Sequence, residues 1–198
     1  CIPTKTLSVD SVKGTDYVDA FERRNLVVKK LNETNYQNLA TEETIDIYFG
    51  EASFKNDREL IVRAGEERFS LKGALVFINT GSESRIPNIR GIMESKHVYD
   101  STQLQELPFL PKRLGIIGAG NIGLEFASIY SGFGSNVTLI ETGAEILKHE
   151  EPEIRIAVQE ELVQQGIEVL TETAVSSIQD VTNDGVKVIT KAGDTFNF

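Results

Sequence analysis

Two groups of residues in this chain have types and spacings that can do chemistry. The first is Gly118-Ala119-Gly120-Asn121-Ile122-Gly123, which follows the apolar run Leu114–Ile117 and opens a helical pattern from Leu124 to Tyr130. Eighteen positions past the last glycine, at the end of a second apolar run Val137–Ile140, stands Glu141. In a strand–turn–helix–strand unit that holds a dinucleotide, each part has a mechanical reason. Gly118 allows the tight turn, and Gly120 lets the backbone come close to a pyrophosphate. Gly123 lets the helix lie close on the strand, and unpaired N–H groups at the helix N-terminus meet the phosphates. Glu141 can accept both ribose hydroxyls of an adenosine, and its charge repels a 2′-phosphate. Thr142, Gly143 and Ala144 follow it, with no arginine or lysine before Lys148. The implied ligand is NAD(H) rather than NADP(H). A tight turn in a fold without a nucleotide is the competing explanation of the glycines alone.

The second group is Cys1-Ile2-Pro3-Thr4-Lys5. Proline just after a cysteine favours the first turn of a helix. A thiolate at a helix N-terminus is stabilised by the dipole and by a nearby lysine. The plainer alternative is an inert, small hydrophobic cysteine. One cysteine and two histidines, His97 and His149, share no ligand spacing, so no zinc site is expected from this chain's own Cys and His residues.

These residues need elements to position them. From Thr4 to about Leu39 the apolar spacing, with Val9, Val12, Tyr17, Ala20 and Phe21, predicts helix, broken or kinked at Gly14. Asn32 to Glu43 reads as a polar exit. Strands are predicted at Ile45–Phe49, Glu59–Arg63 and Arg68–Leu71, with a turn at Gly65. The run Ala74–Ile78 predicts a strand buried on both faces. Residues 82–111 hold Pro87, Pro108 and Pro111 and little periodicity, as a connection would. Beyond Glu141, a helix is expected at Ile154–Gln165, stopped by Gly166. Short strands follow at Glu168–Leu170, Ala174–Ile178 and Val186–Thr190, and another begins at Phe196.

The 198 residues carry a formal charge of −10, spread along the chain. An acidic surface of this kind argues against nucleic-acid and anionic-membrane partners. No apolar run approaches the length of about 20 residues that spans a bilayer, and no signal-peptide pattern opens the chain. The start at Cys1 and the lack of a final strand and glycine turn after Phe198 read as a fragment of a longer protein.

Cys1-Ile2-Pro3-Thr4-Lys5-Thr6-Leu7 resembles the end of the redox-active disulfide motif of class I pyridine nucleotide-disulfide oxidoreductases, the family of dihydrolipoyl dehydrogenase, glutathione reductase and mercuric reductase. Further landmarks fall in the family's order: Gly50-Glu51-Ala52-Ser53-Phe54 as a turn, Ile78–Ser82, Ile116–Glu125 and Val137–Glu141. Val98–Thr102 and Glu125–Ser128 resemble the reactive-chlorine-resistance branch most. The resemblance implies an α/β fold, a fragment of a flavoprotein with two Rossmann-like domains for FAD and NAD(P), three-layered with a small β-meander. Residues 1–84 would be part of the FAD domain, 85–111 the interdomain connection and 112–198 the NAD domain.

The same resemblance implies an oxidoreductase that passes a hydride from NADH to FAD, then electrons through a cysteine pair to a disulfide, metal-ion or other small-molecule acceptor. The whole protein would be a cytoplasmic homodimer, and the isolated fragment inactive. Cys1 would be the flavin-proximal thiol, with its partner upstream. Lys5 would lie near the reactive flavin nitrogen, paired across a domain boundary with Glu125. The alternative for Glu125 is a solvated acid near a helix N-terminus. Ala52, Thr80, Gly81 and Ser82 would contact FAD through their backbone, and Val175 would pack beside the NAD adenosine. Asn121 departs from the family's frequent tyrosine, which gates the nicotinamide pocket. Two other readings compete: a flavin-independent NAD-linked dehydrogenase, and an NAD(H)-binding redox-sensing module with a structural cysteine.

Overall fold

The computed structural model describes residues 2–181 and 185–198, so Cys1 lies outside the described residues. Pro3 sits in the first turn of α1 (Ile2–Lys13), which ends at Gly14 with φ of 70°. α2 (Tyr17–Ala40) follows directly. The break predicted at Gly14 is present, but the polar exit is not: Asn32–Ala40 continues the helix. That stretch contains neither glycine nor proline, and Thr34 and Thr41 return hydroxyl bonds to carbonyls one turn back. The buried face of α1 also differs from the apolar pattern. It carries Thr4, Leu7, Asp10 and Ser11, while Val12 is 87% exposed. Asp10 can be buried because the Arg23 guanidinium reaches it at 2.7 Å.

The chain divides into two compact units, residues 30–83 and residues 1–29 with 84–198. The first contains an antiparallel meander of β1 (Glu51–Asn56), β2 (Glu59–Ala64) and β3 (Glu67–Lys72), in which Ala52 faces Val62 and Leu60 faces Leu71. Gly65 turns β2 into β3 with φ of 63°. Two strand predictions fail here. Ile45–Phe49 and Ala74–Ile78 are irregular, and the strand begins instead at Glu51, inside the predicted turn at Gly50–Phe54. Apolar content signals a tendency to be buried, whereas a strand also needs a hydrogen-bonding neighbour. Neither segment belongs to a sheet among the described residues.

The other unit is built on a parallel sheet, β4 (Arg113–Ile117), β5 (Asn136–Ile140) and β6 (Glu168–Leu170), in that order. β4 and β5 are joined through α4 (Asn121–Gly132), and β5 and β6 through α5 (Pro152–Gln164). An antiparallel meander of β7 (Val175–Asp180), β8 (Val186–Thr190) and β9 (Thr195–Asn197) completes it, and the strand expected at Phe196 is β9. The segment read as a connection is more ordered than its composition suggests. Asp100 caps a short helix α3 (Ser101–Leu104) in a capping box with Gln103. Upstream, Arg90 bridges to Ser177 of β7.

Packing centres on α4. Phe126, Ala127, Ile129 and Tyr130 are buried with Leu7 of α1, with Tyr17 and Ala20 of α2, and with Val137 and Leu139 of β5. A separate cluster of Ile140, Ile178, Val186 and Val188 joins the parallel sheet to the second meander. The helix carrying the glycine turn at its start is thus fixed along its length by the core.

Candidate functional site

The glycine turn leaves β4 at Gly118, whose φ of 105° favours glycine and whose N–H bonds the Ile140 carbonyl at 2.8 Å. At Gly123 a Cβ would stand 2.1 Å from the Gly118 carbonyl oxygen, so α4 can approach β4 only with glycine there. Gly120 is different. It has φ of −86°, and a Cβ would meet nothing within 4 Å. The protein itself does not require glycine at this position, and the space a side chain would fill stays open to a ligand. Gly120 is also the N-cap of α4 and offers no side-chain acceptor to the first helical N–H groups. An open cradle beneath uncapped N–H donors fits a pyrophosphate.

Glu141 follows β5 beside this turn. Its Oε2 accepts from the Ala119 N–H at 2.9 Å and its Oε1 from the Gly143 N–H at 2.8 Å. The strand-end acid and the glycine turn are therefore in direct contact, a link that spacing alone does not reveal. Asn121 and Ile122 are exposed in the first turn of α4, and Val175 opens β7, half-buried.

One turn along α4, Glu125 meets α1. Lys5 Nζ lies 2.9 Å from Glu125 Oε1, with the lysine side chain 70% exposed and the glutamate 31%. The Lys5 ammonium holds the Glu125 carboxyl below the usual range, partial burial opposes it, and the Thr4 hydroxyl adds to the lowering. An ion pair this open contributes less than about 1 kcal/mol to stability. Its interest lies in where it holds a positive charge. In the other unit, Ala52 lies exposed on β1, and Thr80-Gly81-Ser82 form an exposed irregular segment. Gly81 has φ of 77°, and a Cβ there would meet nothing within 4 Å.

Sequence reasoning misses a buried polar support behind α4. The Tyr130 hydroxyl donates to the Leu104 carbonyl at 2.8 Å, and the Tyr17 hydroxyl donates to the Leu107 carbonyl at 2.9 Å. Arg24 reaches Glu106 at 2.5 Å on the same segment. The connecting residues 104–107 are thus tied to α2 and α4. Tyrosines at helical spacing read as core, and only the fold reveals which carbonyls they meet. Among the described residues no cluster of His, Cys, Asp and Glu could hold a metal ion. No helix among them is long and apolar enough to cross a membrane.

The chain is 41% identical over 183 residues to the probable pyridine nucleotide-disulfide oxidoreductase RclA of Escherichia coli K12, covering 92% of this chain and 42% of that protein. It is 34% identical to a dihydrolipoyl dehydrogenase of Acholeplasma laidlawii, covering 91% of this chain and 58% of that protein. A solved structure described as the Cu(II) complex of the HOCl-induced flavoprotein disulfide reductase RclA from Escherichia coli superposes with a TM-score of 0.94 at 38% identity, covering all of this chain and 44% of that one. The chain therefore spans about half the length of these relatives, between 42% and 58%. The model of the pyridine nucleotide-disulphide oxidoreductases matches residues 1–198. By its sequence and its α/β fold, the chain belongs to that family.

Proposed function

We propose that this chain carries the nicotinamide-nucleotide site, and part of the flavin side, of an FAD-dependent oxidoreductase that draws its electrons from NADH. The observation that carries this reading is the open cradle at Gly120 with the Glu141 carboxylate beside it. Residues 112–198 would bind NAD, residues 1–84 would contribute to the FAD domain, and residues 85–111 would connect them. Gly118, Gly120 and Gly123 shape the turn, while Ala119, Asn121 and Ile122 supply its backbone. The first N–H groups of α4 would bind the pyrophosphate. Glu141 would accept the ribose hydroxyls and repel a 2′-phosphate, favouring NADH over NADPH. Val175 would pack beside the adenosine, and Ala52, Thr80, Gly81 and Ser82 would bind FAD through their backbone.

When bound, the nicotinamide supplies a hydride and the flavin ring accepts it. Lys5 would place a positive charge where that ring gains electrons, and Glu125 would fix the lysine's position. Cys1, which lies outside the described residues, would be the flavin-proximal member of a redox pair. The acceptor class is a disulfide or a metal ion, supported by the description of the similar structure as a disulfide reductase in complex with Cu(II). Asn121 stands where the family frequently has the gating tyrosine, so the nicotinamide side would either be more open or be covered by another residue. A cytoplasmic homodimer is the matching whole-protein form.

Anaerobic titration of the flavoprotein that contains this chain tests the proposal. NADH should bleach the flavin with an apparent Kd at least about tenfold below that for NADPH, the range expected when a charged group is read by hydrogen bonding. Equal affinities would overturn the NADH preference, and no bleaching by either would overturn the reading as a whole. Cys1→Ser should keep the bleaching and lose NADH-driven acceptor reduction.

A further inference from the structure

The Glu141 carboxylate already holds two backbone donors. Its Oε2 takes the N–H of Ala119, second residue of the glycine turn and only 1% exposed, and its Oε1 takes the N–H of Gly143. The Ala119 carbonyl in turn accepts the Leu147 N–H at 3.2 Å. The turn and the loop of residues 142–147 are thereby joined twice, through a side chain and through the main chain. The glutamate's own backbone is fixed as well, its N–H bonded to the Leu170 carbonyl at 2.8 Å and its carbonyl to the Thr173 N–H at 2.9 Å. A buried N–H needs an acceptor. Ala119 lies between the end of β4 and the start of α4, and the acceptor there is Glu141.

We propose that Glu141 is a positioning residue for the pyrophosphate turn as well as the acceptor for the adenosine ribose, so that one carboxylate couples the two halves of nucleotide recognition. This rests on the reading of Gly118–Gly123 and Glu141 as a dinucleotide site. A carboxylate oxygen has two acceptor positions. After Ala119 and Gly143 are satisfied, one position on each oxygen is left for the ribose hydroxyls. Loss of the acid then removes the ribose contacts and also leaves the Ala119 N–H buried without a partner. The positioning role acts on both nucleotides alike, so the NADH preference itself still rests at the ribose. Replacing Glu141 alone by a cation, to welcome a 2′-phosphate, removes the support of the turn that both nucleotides need.

A cycle of two ligands and three proteins separates the roles. ADP and 2′,3′-dideoxy-ADP share the pyrophosphate and differ only in the ribose hydroxyls, so calorimetric Kd values are compared on the oxidised full-length flavoprotein. The unaltered protein should hold ADP about tenfold or more tighter than the dideoxy analogue. Glu141→Ala should weaken ADP and also weaken the dideoxy analogue by about fivefold or more, the effect of an orphaned buried N–H. Glu141→Gln, whose amide oxygen can still accept one N–H, should recover part of the dideoxy loss. In the ligand-free variants, hydrogen exchange of residues 116–124 should quicken while residues 186–190 stay unchanged. Dideoxy affinity within twofold in Glu141→Ala, together with unchanged exchange of the turn, overturns the positioning role while leaving the ribose role intact. Equal ADP and dideoxy affinities in the unaltered protein overturn the ribose role, and with it the coupling. Binding of neither ligand defeats both. If Glu141→Ala fails to fold, Glu141→Ser, whose short side chain cannot reach the Ala119 N–H, takes its place: dideoxy affinity within twofold together with unchanged exchange of the turn overturns the positioning role.

Discussion

Tyr17 and Tyr130 place two hydroxyls 3.3 Å apart in the core, each donating its proton to a main-chain carbonyl of the connecting segment. With both protons used in this way, the segment is held by two separate bonds rather than by a chain of them. Tyr130→Phe should lower stability by about 1–2 kcal/mol in a denaturant titration at neutral pH, the usual worth of a buried hydrogen bond whose acceptor survives. A loss below about 0.3 kcal/mol would show that the Leu104 carbonyl is adequately served by the Leu107 N–H, 3.4 Å away. The two hydroxyls also give a pH signature. Burial pushes both phenols up from their ordinary value; the Tyr17 hydroxyl adds to the rise at Tyr130, whereas the Tyr130 hydroxyl and Arg24 partly offset it at Tyr17. Their neutral forms are therefore favoured in the folded chain. That contribution is intact below the unfolded value, near 10, and is lost as the pH climbs above it. Tyr130→Phe should fall less steeply than the unaltered chain above about pH 10.

At the scale of elements, the glycine turn separates what the fold needs from what a ligand needs. Gly123→Ala drives a Cβ into the Gly118 carbonyl at 2.1 Å, backbone against backbone, so α4 must lift from β4. Several kcal/mol of destabilisation, about 2 or more, and loss of nucleotide binding should follow together. Gly120→Ala meets no protein atom, and its φ of −86° suits any residue. Its cost should stay within about 1 kcal/mol, the value of a poorer N-cap, while ADP affinity falls about tenfold because the Cβ occupies the cradle. Thermal unfolding and calorimetry on the two variants distinguish these outcomes. This strand–turn–helix unit was legible in the sequence because each residue's reason is local: a positive φ, a close approach, an acid at a strand end. Ile45–Phe49 and Ala74–Ile78 misled for the opposite reason. Whether an apolar run becomes a strand depends on a hydrogen-bonding neighbour distant in sequence. The Ala119–Glu141 bond was hidden for the same cause, since the partners lie 22 positions apart and meet only once β4 and β5 pair. Lys5 and Glu125 are still further apart along the chain, and the family resemblance, rather than any local pattern, pointed to their contact.

For the whole molecule, the residues that failed as strands have a measurable consequence. Leu75 is 79% exposed and Phe77 85% exposed, with Ile78 and Phe49 also open to solvent in the unit of residues 30–83. Scattered exposed apolar side chains are ordinary, but adjacent large ones on a single segment form a patch that favours association. The formal charge of −10 opposes that tendency through mutual repulsion, which salt screens. The isolated 198-residue chain should therefore bind a hydrophobic dye at neutral pH while its far-ultraviolet circular dichroism remains that of a folded α/β protein. Its self-association, read by light scattering, should rise as sodium chloride is raised from low to physiological concentration. The double variant Leu75→Ser, Phe77→Ser should reduce both the dye signal and the salt-induced association. Because these side chains bury little surface in the chain itself, its unfolding free energy should change by no more than about 0.5 kcal/mol. A large loss of stability in that variant would mean that the segment packs within the chain in solution, and unchanged dye binding would place the exposed apolar surface elsewhere.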